Sequence, residues 1–440
     1  MLTGVRLIRL LKKDLAKEIS TWVDRELISV DQAQAICRLY GVDYTTILAR
    51  STAYSLLVVL GCVFIGLALI TVIGANWDTI PRGLRMAGLL ALTVGTHGLA
   101  LRLHLSGSAS QAAGLFILGS LFYGASIILI AQIYHLGEHM PDGVFWWALG
   151  GLPFGVVLCH PWLTLLSAWL ALVWFFMEYA LGFFGASFPL FVAAQLYVLV
   201  RGRPSITLFL TAVVSLFFWI EAALSVLWAD SSGRLEPAAE HVFVGGALFI
   251  LAHAVSHYLQ ARDAAKAKDY GAVLSVWTLR LGLLGLLVLS FEAPWAGLIE
   301  ADWNNLGSMW VVVGALLAGA VWLGTKTARL PSLLTLSLLS AAAMLAVMLI
   351  EDADSAVYLQ LLGNIALVGA GTWLIVQGTL RGVSHYFSLG VGVILLTAFL
   401  RYVDLIGDYI GAALLFLVLA LVLLGAARYW KVRQTQEGQA

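Results

Sequence analysis

Charge is scarce in this chain. Asp, Glu, Lys and Arg make up 11% of its 440 residues, while 61% are hydrophobic. That charged share is about half of what a soluble domain carries. A soluble core cannot hide so much apolar surface, so lipid has to solvate most of it. The 25 Lys and Arg are matched by 25 Asp and Glu, so bulk charge predicts no nucleic-acid partner. Cysteine is nearly absent. Cys37 lies in a polar N-terminal region and Cys62 and Cys159 in apolar runs, with no pair at the spacing of zinc ligands or of a disulfide framework. Nucleotide-binding loops, haem signatures and nucleic-acid motifs are missing too, so no cofactor or metal is expected and an ATP-driven or redox role needs a separate subunit.

What is present in quantity is long apolar segments. The run over residues 53–75 carries no charge, and 23 residues at 1.5 Å each span the ~30 Å hydrocarbon layer of a bilayer. It breaks at Asn76-Trp77-Asp78-Thr79-Ile80-Pro81, and a second apolar run follows at once. The 50 residues before it are polar and the run itself is too long for a signal-peptide core, which predicts an uncleaved start signal. Further segments lie at about 84–104, 112–133, 144–159, 161–178, 183–200, 205–228, 241–259, 273–291, 308–325, 330–350, 356–378, 383–400 and 409–427. The expected fold is therefore all-α, a polytopic transmembrane bundle of about 14 spans. Twelve is the alternative, because the fourth segment is short and meets the fifth at Cys159-His160-Pro161, where the pair would form a re-entrant hairpin.

The position of basic residues tests the count. With a cytoplasmic N-terminus, 20 Lys and Arg fall on inside connections and four, Arg82, Arg85, Arg234 and Arg401, on outside ones, with Arg280 inside a segment. This bias runs the length of the chain and predicts both termini in the cytoplasm. Residues 1–50 read as a cytoplasmic helical hairpin: Leu7, Leu10, Leu11, Leu15 and Trp22 recur at helical spacing, and Ser29 with Gln32 has the form of a capping box that starts a second helix, from about Val30 to Tyr40, stopped at Gly41. Residues 51–428 form the bundle and 429–440 a short basic tail.

Three phrases, GANWDTIPRGLR, AQIYHLGEHMPDG and RYVDLIGDYIG, together with ELISVDQAQAI near the N-terminus, resemble the bacterial membrane proteins grouped as domain of unknown function 2157. The resemblance runs in order along the chain, and NWD-x-IP is its most specific part. It implies a multi-spanning protein of the bacterial inner membrane and no established activity.

Candidate functional groups gather on the predicted outer face, which holds fourteen acids against four Arg. Asn76, Asp78, Arg82 and Arg85 lie within ten residues. Asp78 suits a helix cap before Pro81 in the first turn, and Arg82 and Arg85 share a helix face from which they can hold a phosphate or pair with Asp404 or Asp408. Arg401 lies close by in sequence to those two acids. His135-Leu-Gly-Glu138-His139 matches an inverted zinc-protease pattern, but Gly137 and Met140-Pro141-Asp142-Gly143 predict a loop and no metal site. Gln132, Tyr134 and His135 are read instead as hydrogen-bonding groups between helices. Within the membrane, Glu221 and Arg280 stand out and are expected to pair.

No residue is assigned a catalytic role. The expected function is a transporter or flippase-like protein for an amphipathic or lipid-linked solute, with membrane lipid as partner. Two alternatives remain: an outer-face enzyme acting on a lipid-linked substrate with Asp78 as its acid, and a scaffold or sensor that binds a cytoplasmic protein through residues 1–50.

Overall fold

The computed structural model describes residues 25–39, 80–135, 139–229 and 238–404, with positions 19, 22, 23, 64, 235 and 417 besides. Apart from positions 64 and 417, the first and last apolar segments lie outside the described residues, as do the tail after 428 and Asn76, Asp78 and Asp408. Every element within them is helical.

The N-terminal region contains α1 (Val30–Leu39). The capping box expected from sequence is closed in both directions: the Gln32 amide donates to Ser29 Oγ at 3.3 Å and the Ser29 amide donates to Gln32 Oε1 at 2.9 Å. Before it, helical residues Ile19, Trp22 and Val23 end in a turn with Glu26 at a φ of 57°. Ile19 packs on Ala33 and Cys37, with Trp22 and Ile36 around them. A small apolar core of its own thus closes the hairpin.

The chain then divides into two compact units, residues 1–174 with 200–203, and residues 175–199 with 204–440. The first contains α2 (Arg82–Leu105), α3 (Ala109–Tyr134), α4 (Met140–Val157) and most of α5 (Pro161–Ala180). α2 and α3 form a long hairpin, and α4 packs on α3. The polar groups buried between them find partners: Thr93 and Ser126 hydroxyls meet at 3.1 Å, and the Trp147 indole donates to the Ser120 carbonyl at 2.8 Å. His97 stacks on Phe154 with ring centroids 4.6 Å apart. In the turn between α4 and α5, burial, followed by the Arg203 guanidinium, lowers the His160 imidazole below its ordinary value.

The second unit contains α6 (Pro189–Arg201, its last two residues excepted), α7 (Ile206–Trp228), α8 (Glu240–Ala261), α9 (Ala265–Val288), α10 (Glu292–Ile299), α11 (Leu306–Lys326), α12 (Leu330–Leu349), α13 (Ala356–Arg381) and α14 (Ser384–Asp404). α8 lies at its centre, packed on α7, α9, α11 and α12. A core around Phe243, Val244, Trp295, Met309 and Met344 closes one end, and Ala254, Ala320, Leu323 and Leu333 close the other. The acids Glu240, Glu292, Glu300, Asp302, Glu351 and Asp352 stand at helix ends on the first of these sides, while Arg262, Lys266, Lys268, Lys326 and Arg329 stand at helix ends on the second.

Ten helices among the described residues, α2, α3, α5, α7, α8, α9, α11, α12, α13 and α14, are long and apolar enough to cross a membrane. Their outer surfaces are inverted relative to a soluble protein: Leu227, Val311 and Leu349 are each more than 70% exposed, as lipid-facing side chains should be. The bundle expected from sequence is therefore present as a polytopic helical membrane protein. The short fourth segment, α4, is not among the ten, and a second weak point appears in addition to it. α5 is a full 20-residue helix, whereas the sixth apolar segment yields only the 13 residues of α6, about 20 Å at the α-helical rise. The missing turns are residues 181–188, where Gly182 takes a φ of 85° and the chain turns instead of continuing as helix.

α13 and α14 meet along a glycine seam. A Cβ on Gly390 would lie 2.5 Å from the Gly371 carbonyl oxygen and 2.9 Å from the Ile375 amide, so both backbones approach as closely as they do because no side chain stands between them.

Candidate functional site

α7 places Glu221 and Ser225 one helical turn apart on a single face, and the first turn of α8 brings His241 against them. His241 Nδ1 lies 2.7 Å from Glu221 Oε2, and its Nε2 lies 2.9 Å from Ser225 Oγ. The serine hydroxyl also reaches the Glu221 carbonyl at 3.2 Å and the Tyr179 hydroxyl of α5 at 3.2 Å. Glu221 and His241 side chains are 15% and 17% exposed, and Ser225 is 2% exposed. The second carboxylate oxygen of Glu221 is buried with no hydrogen-bond partner. It sits over Gly245, 3.3 Å from where a Cβ would stand.

The surroundings are aromatic and fixed. The Trp228 ring lies 4.9 Å from the His241 ring, and its indole donates to Ser308 Oγ at 2.8 Å. Beside His241 in sequence, Glu240 is wholly buried and turns to α11 instead, where Oε1 accepts the Asn305 amide at 2.7 Å. This carboxylate caps the helix that begins at Leu306, where the free amides and the helix dipole favour negative charge. At the same end of the unit, Ile299, Trp303, Leu306, Trp310, Leu345, Val347, Met348, Ile350 and Glu351 line a groove of about 500 Å³. Its walls are apolar and aromatic and its acid, Glu351, is exposed.

The order of contacts, carboxylate to Nδ1 and hydroxyl to Nε2, is that of a hydrolytic triad. Access is not. A nucleophile has to reach its substrate, whereas Ser225 is buried in the last turn of α7 and hydrogen-bonded to the carbonyl of its own preceding turn. The arrangement can hold, orient and pass a proton, and that needs no approach by a substrate to the hydroxyl.

The other predicted positions disperse. Glu221 does not pair with Arg280, which is exposed and lies over the Trp277 ring with its guanidinium 5.8 Å from the centroid. Pro81 stands one residue before α2 rather than in its first turn, and its carbonyl accepts from the amides of Leu84 and Arg85. Arg82 is exposed, and Arg85 Nε donates to the Ile80 carbonyl at 2.6 Å. Gln132, Tyr134 and His135 are exposed, and no hydrogen bond from them to another helix is seen among the described residues. His135 ends α3 in the left-handed conformation and His139 precedes α4 in an extended one, so the two histidines do not share the single helical turn that a zinc protease needs. Arg401 is buried at 8% exposure, its guanidinium 4.4 Å above the Phe291 ring. Asp404 is the last residue of α14, while Asn76, Asp78 and Asp408 are not among the described residues.

Glu221 is legible in the sequence as an intramembrane acid, but reading the sequence misses His241, Ser225 and Tyr179. The usable signal is an acid and a hydroxyl four residues apart in one apolar run, followed by a histidine at the start of the next. A second polar pair lies toward the opposite end of α8, where His253 Nδ1 meets Thr278 Oγ1 at 3.0 Å and the two imidazoles of His253 and His257 approach to 3.3 Å.

Residues 20–164 match the family model described as "Predicted membrane protein (DUF2157)". The matched stretch takes in ELISVDQAQAI, GANWDTIPRGLR and AQIYHLGEHMPDG and ends well before RYVDLIGDYIG. DUF2157 therefore accounts for α1 to α4, and the Glu221–His241 site lies beyond it. No curated protein and no solved structure matches the chain.

Proposed function

We propose that this protein is a transporter or flippase-like protein of a bacterial inner membrane, moving an amphipathic or lipid-linked solute, with both termini in the cytoplasm. The observation that carries the reading is the groove of about 500 Å³ between Trp303, Trp310 and Met348 with Glu351 beside it. An apolar wall of that kind accepts an acyl or prenyl chain, and a carboxylate at its edge suits a cationic or hydroxyl-bearing headgroup. Orientation is supported by the second unit, where Arg262, Lys266, Lys268, Lys326 and Arg329 stand at one end with Asp263 and Asp269, and most of the acids stand at the other with Arg401. The basic end is the cytoplasmic one in this reading.

The test is reconstitution into liposomes holding fluorescent lipids of different headgroup charge, with bleaching of the outer leaflet by a membrane-impermeant reductant. Accelerated loss of the protected inner-leaflet signal is expected, slowed by Trp310→Ala and by Glu351→Gln. Neither binding nor movement of any lipid, relative to protein-free vesicles, removes the reading.

A second reading has one observation in its favour. The N-terminal hairpin has its own core, Ile19, Ala33 and Cys37, and presents Leu27 and Val30 at its surface, as a docking module for a cytoplasmic protein would. Deleting residues 1–45 separates the two: a transporter keeps its activity in liposomes, whereas a scaffold loses its partner.

A further inference from the structure

We infer that Tyr179, Ser225, His241 and Glu221 form a proton-binding chain, and that the proton it carries is the ion coupled to solute movement; the coupling half of this rests on the transport reading above. The four groups are continuous by hydrogen bond, 3.2 Å from Tyr179 to Ser225, 2.9 Å on to His241 Nε2, and 2.7 Å from His241 Nδ1 to Glu221. One end is half-buried at Tyr179, and the other ends on a carboxylate oxygen that is buried and unpartnered.

Ser225 makes the chain reversible. With one extra proton, the imidazole holds hydrogen on both nitrogens, donating to Glu221 Oε2 and to Ser225 Oγ, while the serine hydroxyl donates to the Glu221 carbonyl. The pair is then neutral overall. The proton leaves along the chain: the serine hydroxyl turns to Tyr179 and gives its hydrogen to the phenol oxygen as it takes the one on Nε2, and the phenol passes its own hydrogen outward, so that His241 keeps the hydrogen on Nδ1 and Ser225 donates to Nε2. The pair then carries one negative charge. Each heavy-atom distance serves both states, so the proton moves without rearranging the helices. The charge of the site changes by one unit inside an apolar bundle, and such a change biases a conformational equilibrium strongly.

Among the described residues, the one ion pair of Glu221 and of His241 is with each other. Of the elements around them, α8 supplies Glu240, turned to the Asn305 amide, and α11 supplies Ser308 and Asn305. α9 supplies in its later half only Arg280, which is exposed, and α5 carries buried Glu178 beside Tyr179.

The experiment uses the full chain in lipid vesicles with two readouts. Infrared difference spectra between pH 8 and pH 5 are expected to show a buried carboxyl or imidazole protonation signal that Glu221→Gln and His241→Asn each abolish. In the fluorescent-lipid assay, a gradient of one pH unit is expected to drive up to about tenfold asymmetry between leaflets, the ratio equivalent to ~1.4 kcal/mol per proton, and Glu221→Gln is expected to lose that response. Ser225→Ala should keep the infrared signal but slow its appearance after a pH jump. An infrared signal unchanged in both variants overturns the proton site. Lipid movement that ignores the gradient, or Glu221→Gln that still follows it, overturns the coupling and leaves transport standing. If no lipid moves at all, the transport reading falls, and the infrared result alone decides the proton site.

Discussion

Replacing Gly390 by alanine tests whether backbone contact holds α13 to α14. The new methyl would stand 2.5 Å from the Gly371 carbonyl oxygen and 2.9 Å from both the Ile375 amide and its Cγ1. A side chain can turn away, but the two backbone atoms cannot, so the helices must separate by roughly 1 Å along the seam, an overpacking that costs about 1–3 kcal/mol. Alanine also favours helix over glycine by about 0.5–1 kcal/mol, which offsets part of it. Gly392, two residues on, supplies the control, because a Cβ there meets nothing within 4 Å. Both variants share the helix-propensity gain, so their difference isolates the contact. Reversible unfolding in mixed micelles should place Gly390→Ala below Gly392→Ala by about 1–3 kcal/mol, a factor of roughly 5–150 in the folded ratio. Equal stability of the two single variants would refute the close-approach argument.

Other outcomes follow from the same geometry. Ser29→Ala should cost about 0.5–2 kcal/mol at the start of α1, read in the intact protein as faster amide exchange over residues 31–33 with no change in α11. Glu240→Ala strips the Asn305 amide of its acceptor and should lower stability by about 1–3 kcal/mol, whereas Glu240→Gln keeps the acceptor, removes a buried charge and should match or exceed the parent. His160 is held neutral by burial, so its folded-state value lies below the unfolded one of 6.5. Its contribution is accordingly full above about pH 6.5 and declines as pH falls below it. Thermal unfolding at pH 7.5 and pH 5 should show a smaller acid loss for His160→Gln than for the parent, and equal losses would count against it.

Local signals translate directly into structure wherever the physics is local. The Ser29–Gln32 capping box needs only residues three apart, and it closes as expected. Gly137 and Pro141 predict a break around His135, and α3 ends there. Twelve apolar segments from about 84 to 400 each meet a helix, because twenty apolar residues in lipid have few ways other than helix to satisfy their backbone. The sixth segment departs from the same logic, since hydropathy registers composition and is blind to the left-handed glycine that shortens α6.

The sequence by itself determined that the protein lives in a membrane, roughly where most of its described long helices lie, and that an acid, Glu221, sits inside an apolar run. Only the tertiary structure decided what that acid faces. Rotation and register of α7 against α8 bring His241 to Glu221 and leave Arg280 outside over Trp277, and the packing of α14 buries Arg401 against Phe291. Hydropathy sets how deep a residue lies along its helix. Which neighbour it meets is set by the angle around the helix axis, and that angle is fixed by how glycines and bulky side chains interlock between helices far apart in the chain.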